Sequence, residues 1–337
     1  MRGISFTYNL LDKNNNFKKI LKNVESCTIS YLSLSTQKYT ANLKMKDDAT
    51  IDWLNDRIQV MCKIDNVSSP LGVYIITSPN QSKNETLIIR EITMYSPIVL
   101  LERDKVQERY YLPIGTNITT EIERLLGTNP YVLEQGTFFT SSTKEYEIGT
   151  PKITIINDLL GSINYTSLYI DMGGIMKADK YVLPSDRVFN IEYKEGQGSL
   201  LHKEVMVGKD IFNVPNIFIR YTNNADITPP LVARYENYNI DSETSTANAP
   251  NNVSAEEVTD VADLQTLQDI CKRDAYNASQ IYSSLLFSTA INPLHGYMDC
   301  IHVAYGDIDN NYIETSWSID CVVGGKMNHT CRRVVVV

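Results

Sequence analysis

The part of the sequence that most constrains the fold is residues 253–337, where one helical pattern is followed only by strand patterns. The apolar residues at helical spacing are Val261, Leu264, Leu267, Cys271, Ala275 and Ala278. They predict an amphipathic helix over residues 259–282, with Thr259 or Asp260 as its N-cap and Asp263 in its first turn. The strand-like runs that follow are residues 285–290, 301–305, 312–323 and a final run that ends at Val337. This stretch predicts a helix packed against a curled antiparallel sheet.

The last hairpin has a pattern that predicts its faces and its register. One face would carry Ile313, Thr315, Trp317, Ile319, Cys321 and Val323, and the other Glu314, Ser316, Ser318 and Asp320. If Gly324-Gly325 forms a two-residue turn, Asp320 lies opposite His329 and Trp317 lies opposite Arg332. These contacts are interpreted as cross-strand pairs rather than as a functional site.

Residues 1–104 are predicted to be rich in β-structure. The strand patterns are residues 26–32, 39–45, 58–64, 71–78 and 86–95. The clearest alternation places Tyr39, Ala41, Leu43 and Met45 on one face of a half-buried strand. The polar residues 79–84 indicate a long hairpin loop. The first unit is therefore predicted to be a small barrel or sandwich.

Residues 105–190 are predicted to form a small α/β unit. Ile118, Ile122, Leu125 and Leu126 lie at helical spacing, with Asn117 or Thr116 as N-cap and Gly127 as the left-handed C-terminal residue. A second helix, with Thr154 as its cap, carries the apolar stripe Ile155, Ile156, Leu159, Leu160 and Ile163. It leads into a hairpin of residues 165–171 and 175–182 around Gly173-Gly174.

Residues 191–337 are predicted to form a second β-rich unit that contains the helix over residues 259–282. Two further strands are predicted at residues 217–221 and 232–238. Residues 241–257 are rich in Ser, Thr, Asn and Ala, which predicts a polar linker or exposed loop. Such a linker would let the helix and the last strands be placed semi-independently of the preceding chain.

Length and charge exclude several classes of protein. A chain of 337 residues suggests two or three units. A net charge of −9 argues against a duplex-binding protein held by phosphate contacts. No apolar run approaches the ~20 residues of a membrane helix, and the N-terminus lacks a signal-peptide pattern, so a soluble, non-secreted protein is expected. The six cysteines lie far apart without a C-x-x-C pair, which predicts reduced and mostly buried thiols.

The sequence contains no recognised catalytic motif. Walker, Rossmann, G-x-S-x-G and H-E-x-x-H patterns are all missing. His295 and His302 could approach Asp299, Asp307 or Cys300 as a metal or acid–base site, but histidines beside strands more often make structural hydrogen bonds. The 21 tyrosines suit a β-sheet core and equally a surface that contacts carbohydrate or protein. We therefore predict no catalytic residue, no cofactor and no metal ligand.

Several short motifs carry a resemblance to a known family. They are PLGVY at residues 70–74, INDLL at 156–160, YTSLYID at 165–171, VTDVADL at 258–264 and NPLHG at 292–296. Together with the order of the β-rich and helical parts, they resemble the baseplate hub proteins of contractile phage tails and phage-tail-like bacteriocins, over nearly the whole chain. The family pattern has Gly before the acidic residue at position 299, whereas this chain has Met298.

The resemblance implies a mostly β, α+β fold with two tail-tube-like antiparallel barrels. These would be residues 1–104 and residues 191–337, the latter with the flanking helix and the polar linker, and the α/β unit of residues 105–190 would lie between them. It also implies a homotrimer whose six barrels form a pseudo-sixfold ring between the sixfold tail tube and the threefold central spike. The expected partners are further copies of the chain, the tail tube protein, the central spike protein and other baseplate proteins, with no sequence-specific nucleic acid and no membrane.

Such a hub would assemble in the bacterial cytoplasm and reside in the particle, and an acidic lumen would not retain passing DNA. Two other functions remain open at this point. Some tail-tip proteins of this kind degrade peptidoglycan, and a host-surface adhesin would also fit loops rich in tyrosine.

Overall fold

The fold is mostly β, with 46% of the residues in strands and 14% in helices, which confirms the α+β, mostly β class. This computed structural model describes residues 3–85, 87–209, 213–223, 228–258, 261, 263–279 and 283–334. No helix in these ranges combines the length and the apolar character needed to cross a membrane.

The first seven strands pair in an antiparallel sheet with the order β3-β4-β7-β6-β5-β1-β2. They are β1 (Ile4–Leu11), β2 (Phe17–Leu21), β3 (Val24–Leu32), β4 (Tyr39–Lys46), β5 (Arg57–Ile64), β6 (Val67–Asn84) and β7 (Leu87–Tyr95). The predicted inner face of β4 is confirmed, because its four alternating apolar side chains are at most 3% exposed. The alternation favours a strand, because a strand places every second side chain on the same face and so buries these apolar side chains away from water.

The hairpin of β6 and β7 was predicted, but the prediction of a long polar loop at its tip is wrong. β6 continues through the polar residues, with Pro79 opposite Ile92 and Asn84 opposite Leu87. Backbone hydrogen bonds hold this ribbon together although its end is exposed on both faces, so an apolar pattern is not needed there.

The α/β part contains three helices and several short strands. They are α1 (Ile98–Arg103), β8 (Tyr110–Leu112), α2 (Ile118–Leu126), β9 (Tyr131–Leu133), β10 (Lys144–Tyr146), α3 (Lys152–Ser162), β11 (Tyr169–Ile170) and β12 (Met176–Ala178). Both predicted ends of α2 are confirmed: Asn117 Oδ1 accepts a hydrogen bond from the Thr120 N–H at 3.0 Å, and Gly127 has a φ of 61°. Thr154 is not the cap of α3, because that helix already begins at Lys152, behind Pro151.

The glycine turn of the predicted hairpin is confirmed, although its strands are short. β11 and β12 pair in antiparallel fashion, and Gly174 has a φ of 89°, which favours glycine. The carboxylate of Asp171 accepts hydrogen bonds from the N–H groups of Gly173 and Ile175 and holds the turn.

The remaining elements follow from residue 191 onward. They are β13 (Ile191–Lys194), β14 (Leu201–Lys209), β15 (Ile217–Tyr221), β16 (Val232–Glu236), β17 (Val253–Glu257), α4 (Leu264–Ser279), β18 (Ser283–Ala290), β19 (Cys300–Tyr305), β20 (Ile308–Asp320) and β21 (Lys326–Arg333). All six cysteines are buried, as predicted.

Helix α4 packs mainly against a small sheet of order β16-β15-β17. The sequence had predicted that it packs against the strands that follow it. Its apolar face covers Phe218 and Ala233. The predicted caps Thr259 and Asp260 lie outside the described residues, and Asp263, predicted for the first turn, is itself the cap, because its Oδ1 accepts a hydrogen bond from the Thr266 N–H at 2.7 Å.

The prediction of a polar linker or exposed loop over residues 241–257 is wrong for its last five residues. β17 lies within it and pairs with β15 in parallel. Asn216 orders the segment from outside, because its Nδ2 donates to the Pro250 carbonyl and its Oδ1 accepts from the Asn252 N–H. Side-chain hydrogen bonds thus order a stretch that has little apolar surface to bury.

One strand pair joins the two halves of the chain into a single 13-stranded sheet. β20 pairs with β21 on one side and, along its last residues, with β3 on the other, so that Trp317 lies opposite Tyr31. The side chain of Trp317 packs on Tyr31 and Tyr39, at ring-centroid distances of 5.6 and 6.0 Å. The boundaries at residues 104 and 190 stay a prediction.

The predicted register of the last hairpin is wrong. Trp317 lies opposite His329, and Arg332 lies opposite Ile313. The strands are joined by residues 321–325 rather than by two glycines alone, and within this connection the Gly325 N–H bonds to the Val322 carbonyl. Val323 is 78% exposed, so apolar character extends into a turn and hides the end of the strand.

Candidate functional site

A cluster of ionisable side chains lies inside the second half of the main sheet. Glu314 is fully buried on β20, and one histidine contacts each of its carboxylate oxygens. His295 Nδ1 lies 2.5 Å from Oε2, and His329 Nδ1 lies 2.6 Å from Oε1. We call these three residues the His–Glu–His cluster. It is the one group of three or more potential metal ligands found within the described ranges.

A β-bulge on β20 explains why Glu314 points inward. Glu314 lies opposite Cys331 and Ser316 lies opposite Thr330, which leaves Thr315 as an extra residue. A bulge changes which residues face the core. The prediction that Glu314 shares the outer face with Ser316 is therefore wrong, while Trp317 and Ile319 beyond the bulge are buried as expected.

The outer nitrogens of both histidines also have partners. His295 Nε2 lies 2.7 Å from the hydroxyl of Tyr193, which accepts a hydrogen bond from Asn292. His329 Nε2 lies 2.9 Å from Thr289 Oγ1. Each Nδ1 can donate to the carboxylate while each Nε2 accepts from a hydroxyl, which suits two neutral imidazoles beside one ionised carboxylate.

The pKa shifts of Glu314 and His329 agree with an ionised carboxylate beside a neutral His329. Burial raises the pKa of the Glu314 carboxyl, but the two adjacent histidines outweigh burial and hold its pKa below the ordinary value. Burial lowers the pKa of His329, and the opposing attraction of Glu314 does not fully restore it. The cluster is thus stable as an anion enclosed by hydrogen-bond donors.

The cluster geometry fits hydrogen bonds better than metal coordination. Ligands about 2.0 to 2.1 Å from a tetrahedral Zn²⁺ are separated by roughly 3.3 Å. The nitrogen–oxygen distances here are 2.5 and 2.6 Å. Such distances are typical of charge-assisted hydrogen bonds. We therefore derive no metal chemistry from the cluster, and the predicted lack of metal ligands stays a prediction.

The pairing considered for His295 and His302 is not the one that forms. His302 lies 3.0 Å from Asp309 and 2.9 Å from the Asn311 side chain. Asp299 accepts hydrogen bonds from the Gly296 N–H and from Asn190. The sequence analysis missed Glu314 and His329 as partners of His295, although a carboxylate between Ile313 and Thr315 in an apolar run could have drawn attention to them.

Two outer strands of the main sheet, β2 and β14, form the second candidate site. Within the described residues, β2 pairs only with β1, and β14 pairs only with β18. The outer strands carry exposed apolar side chains, among them Ile20 on β2 and Met206 on β14, which are 48% and 59% exposed. An edge strand with free backbone groups can add a strand from another chain. These edges suit subunit contacts.

Comparison with known proteins gives matches among solved structures alone. No family model matches the sequence, and no curated protein matches it. The tail protein of Neisseria meningitidis MC58 superposes with a TM-score of 0.69 at 10% identity, covering 97% of this chain and 96% of that chain. The 43 kDa tail protein of prophage MuSo2 from Shewanella oneidensis gives 0.65 at 10% identity, covering 97% and 98%.

A third structure is the E. coli c3393 protein, a component of the type VI secretion system that is similar to the T4 bacteriophage tail proteins gp27 and gp5. It gives a TM-score of 0.55 at 9% identity and covers 94% of this chain and 75% of that chain. Likeness at such low identity concerns the fold. The chain therefore has the fold of phage tail proteins, as the motif resemblance implied.

Proposed function

We propose that this chain is a structural hub protein in the baseplate of a contractile phage tail or a tail-like particle. The observation that carries the proposal is the similarity to phage tail proteins over 97% of the chain, which includes both halves of the main sheet and the α/β part. The hub would form a trimeric ring between the sixfold tail tube and the threefold central spike.

The sheet topology supports a ring. Inside one chain, the two β-rich halves already meet edge to edge through β3 and β20. Three chains, each with two such halves, supply six similar positions around an axis. The outer strands β2 and β14 differ from each other, so a contact between them is heterologous, and heterologous contacts form a ring when the rotation between subunits closes.

The proposed partners are other copies of this chain, the tail tube protein, the central spike protein and neighbouring baseplate proteins. The proposed location is the particle itself, after assembly in the bacterial cytoplasm. The excess of 40 acidic over 31 basic residues suits a lumen that repels DNA. A map of charge on the assembled ring tests this last point, since a neutral or basic inner wall contradicts it.

We assign the chain a structural rather than an enzymatic role. The His–Glu–His cluster is buried, and its ring nitrogens are engaged by Glu314, Tyr193 and Thr289. It therefore acts as a polar core that fixes β18, β20 and β21. Clearing of a cell-wall zymogram by the purified chain would overturn this assignment in favour of a peptidoglycan hydrolase.

The deciding experiment is a mass measurement of the purified chain in solution, alone and with the spike protein of the same particle. We expect a species of three 38.2 kDa chains, alone or on addition of the spike. A monomer under both conditions would contradict the trimeric hub.

A further inference from the structure

One buried cation lacks the partner that the others have. Lys38, Lys144 and Arg220 are the cations that are less than a tenth exposed within the described ranges. Lys144 Nζ lies 2.7 Å from Asp158, and Arg220 Nε lies 2.7 Å from Asp274. Lys38 Nζ donates to the Ser35 carbonyl at 3.2 Å and lies 5.6 Å from the centre of the Tyr297 ring.

The charge of Lys38 is therefore not balanced by the protein. It forms no ion pair with a carboxylate of the described chain, and burial alone lowers its pKa to about 8. Removing an ammonium group from water is unfavourable unless an opposite charge accompanies it. An anion is the kind of partner that would balance this charge.

Lys38 lines a cavity of about 410 Å³ at the junction of four parts of the chain. These parts are the β3–β4 loop with Ser33 and Lys38, the α3 region, helix α4 with Arg273, and the second half of the sheet with Arg332. We call this cavity the junction pocket. Its lining includes three cations and no carboxylate, in a chain whose net charge is −9.

Arg273 and Arg332 also add positive charge to the pocket that carboxylates of the described chain do not fully balance. Arg332 is partly buried, and burial is the sole cause that lowers its pKa. Arg273 donates to the Asn164 side chain, and its Nε lies 3.5 Å from Asp274. Asp274 is 2.7 Å from Arg220 and so bonds more closely to that residue.

Ser33, which also lines the pocket, has a buried hydroxyl group beside it that lacks a partner. Ser33 Oγ is buried and makes no hydrogen bond in the structure. A buried hydroxyl without a bond costs free energy, and an anionic oxygen is a strong acceptor for it. Ser33 and Lys38 are independent signs of the same ligand chemistry, since one needs an acceptor and the other needs a negative charge.

We propose that the junction pocket binds an oxyanion group, as phosphate or carboxylate, with Lys38, Arg332 and Ser33 as its main contacts. The oxyanion is either a free ion or the end of an acidic side chain from a neighbouring protein. Because the pocket lies between four parts of the chain, the bound anion holds them together. The proposal does not depend on the trimeric ring.

The test is equilibrium dialysis of the full-length chain against radiolabelled inorganic phosphate at constant ionic strength, with Lys38→Met and Lys326→Met as variants. Lys326 is exposed on β21 and does not line the pocket, so it is the matched control. We expect saturable binding to the wild type and to Lys326→Met, and at least about tenfold weaker binding to Lys38→Met because a charge-assisted contact is lost.

Arg332→Gln provides a second variant and should weaken binding as well. Competition by a glutamate-rich peptide would assign the anion to an acidic protein segment, and its failure to compete would assign it to a free ion. The proposal is overturned if the wild type does not bind phosphate saturably, or if Lys38→Met and Arg332→Gln bind as tightly as Lys326→Met.

Discussion

The backbone N–H of Met298 donates a hydrogen bond to the hydroxyl of Tyr31 at 2.9 Å, across 267 positions of sequence. Tyr31 lies on β3, and Met298 lies in the turn before β19, so the bond crosses the junction between the two halves of the sheet. Arg187 donates to the Met298 carbonyl at 3.0 Å, so both backbone polar groups of Met298 are hydrogen-bonded. The turn is therefore held from both ends.

Met298 has a φ of 50°, in the left-handed region that favours glycine. The resemblance led us to expect Gly before Asp299, and Met298 adopts this backbone conformation instead. We expect Met298→Gly to raise the free energy of unfolding by about 0.5 to 1 kcal/mol. A non-glycine residue is destabilised by about 1 to 2 kcal/mol in this conformation. Glycine removes this cost, but it loses more chain entropy on folding, which offsets part of the gain. Urea denaturation measures the change.

Met206→Gly is the control for this variant, because Met206 lies on an exposed strand and is not among the residues with positive φ. It should lower stability. Equal losses in the two variants would show that Met298 is not strained.

The sequence predicted correctly those elements that have one buried face or characteristic residues at their ends. β4 was visible because one of its faces is buried, and α2 was visible because Asn117 and Gly127 mark its ends. β2 and the outer part of β6 were missed, because strands exposed on both faces need no alternation. The linker assignment failed for the same reason at β17.

The candidate sites depend on long-range geometry that periodicity cannot supply. The bulge at Thr315 shifts the phase of β20 by one residue and thereby buries Glu314 between two histidines. The junction pocket brings together Lys38, Arg273 and Arg332 from distant parts of the sequence. Neither arrangement leaves a motif, since the residues become neighbours only when the sheet is assembled.

Loss of the Glu314 carboxylate should strongly destabilise the chain. Glu314→Ala leaves two buried imidazole donors without their acceptor, so we expect a loss of about 3 to 5 kcal/mol in the free energy of unfolding. The matched control is Glu91→Ala, because the Glu91 side chain is 71% exposed and forms an ion pair with Lys44 at 4.0 Å. This variant should lower the free energy of unfolding by less than about 1 kcal/mol. Similar losses in both variants would refute the structural role of the cluster.

Mild acid should also destabilise the chain through His329. Its pKa is lowered in the folded state, so the unfolded chain binds a proton that the folded chain does not, and stability falls as the pH drops through about 6.5. We expect a loss of free energy of unfolding between pH 7 and 5.5 of at most about 1.3 kcal/mol, the limit in which His329 takes up no proton in the folded chain. The groups that face His329 are Glu314, His295, Tyr193 and Thr289.

Urea denaturation at the two pH values measures the effect. His329→Gln should reduce the pH dependence, whereas His202→Gln, on the partly exposed β14, should leave it nearly unchanged. An equal pH dependence in wild type and His329→Gln would contradict the assignment.

Charge on an edge strand should weaken the proposed ring. Ile20→Lys places a cation on β2, and edge lysines oppose strand addition, so we expect a shift from trimer to monomer in mass measurements at equal concentration. Val323→Lys is the control, since Val323 is 78% exposed in the connection between the inner strands β20 and β21. Its trimer should persist. If Ile20→Lys remains fully trimeric, the β2 edge is not a subunit contact.

Raising the pH should relieve the unfavourable burial of Lys38. Its pKa is lowered from 10.5 to about 8 in the folded chain. Below pH 8 the full cost of the buried charge is present, and it declines as the pH rises toward 10.5, because the folded state then holds fewer protons than the unfolded state. Without added oxyanion, the wild type should therefore gain about 2 kcal/mol relative to Lys38→Met between pH 7 and 9.5.

The other groups in the junction pocket do not interfere with this measurement. Burial raises the pKa of Tyr165 and Tyr297 and raises that of Tyr181 to about 12, so these tyrosines stay neutral up to pH 9.5, and guanidinium groups keep their charge over this range. Paired urea denaturation curves at the two pH values give the difference directly. If the wild type and Lys38→Met change in parallel, Lys38 is not a buried, unbalanced cation, and the main argument for an oxyanion in the pocket fails with it.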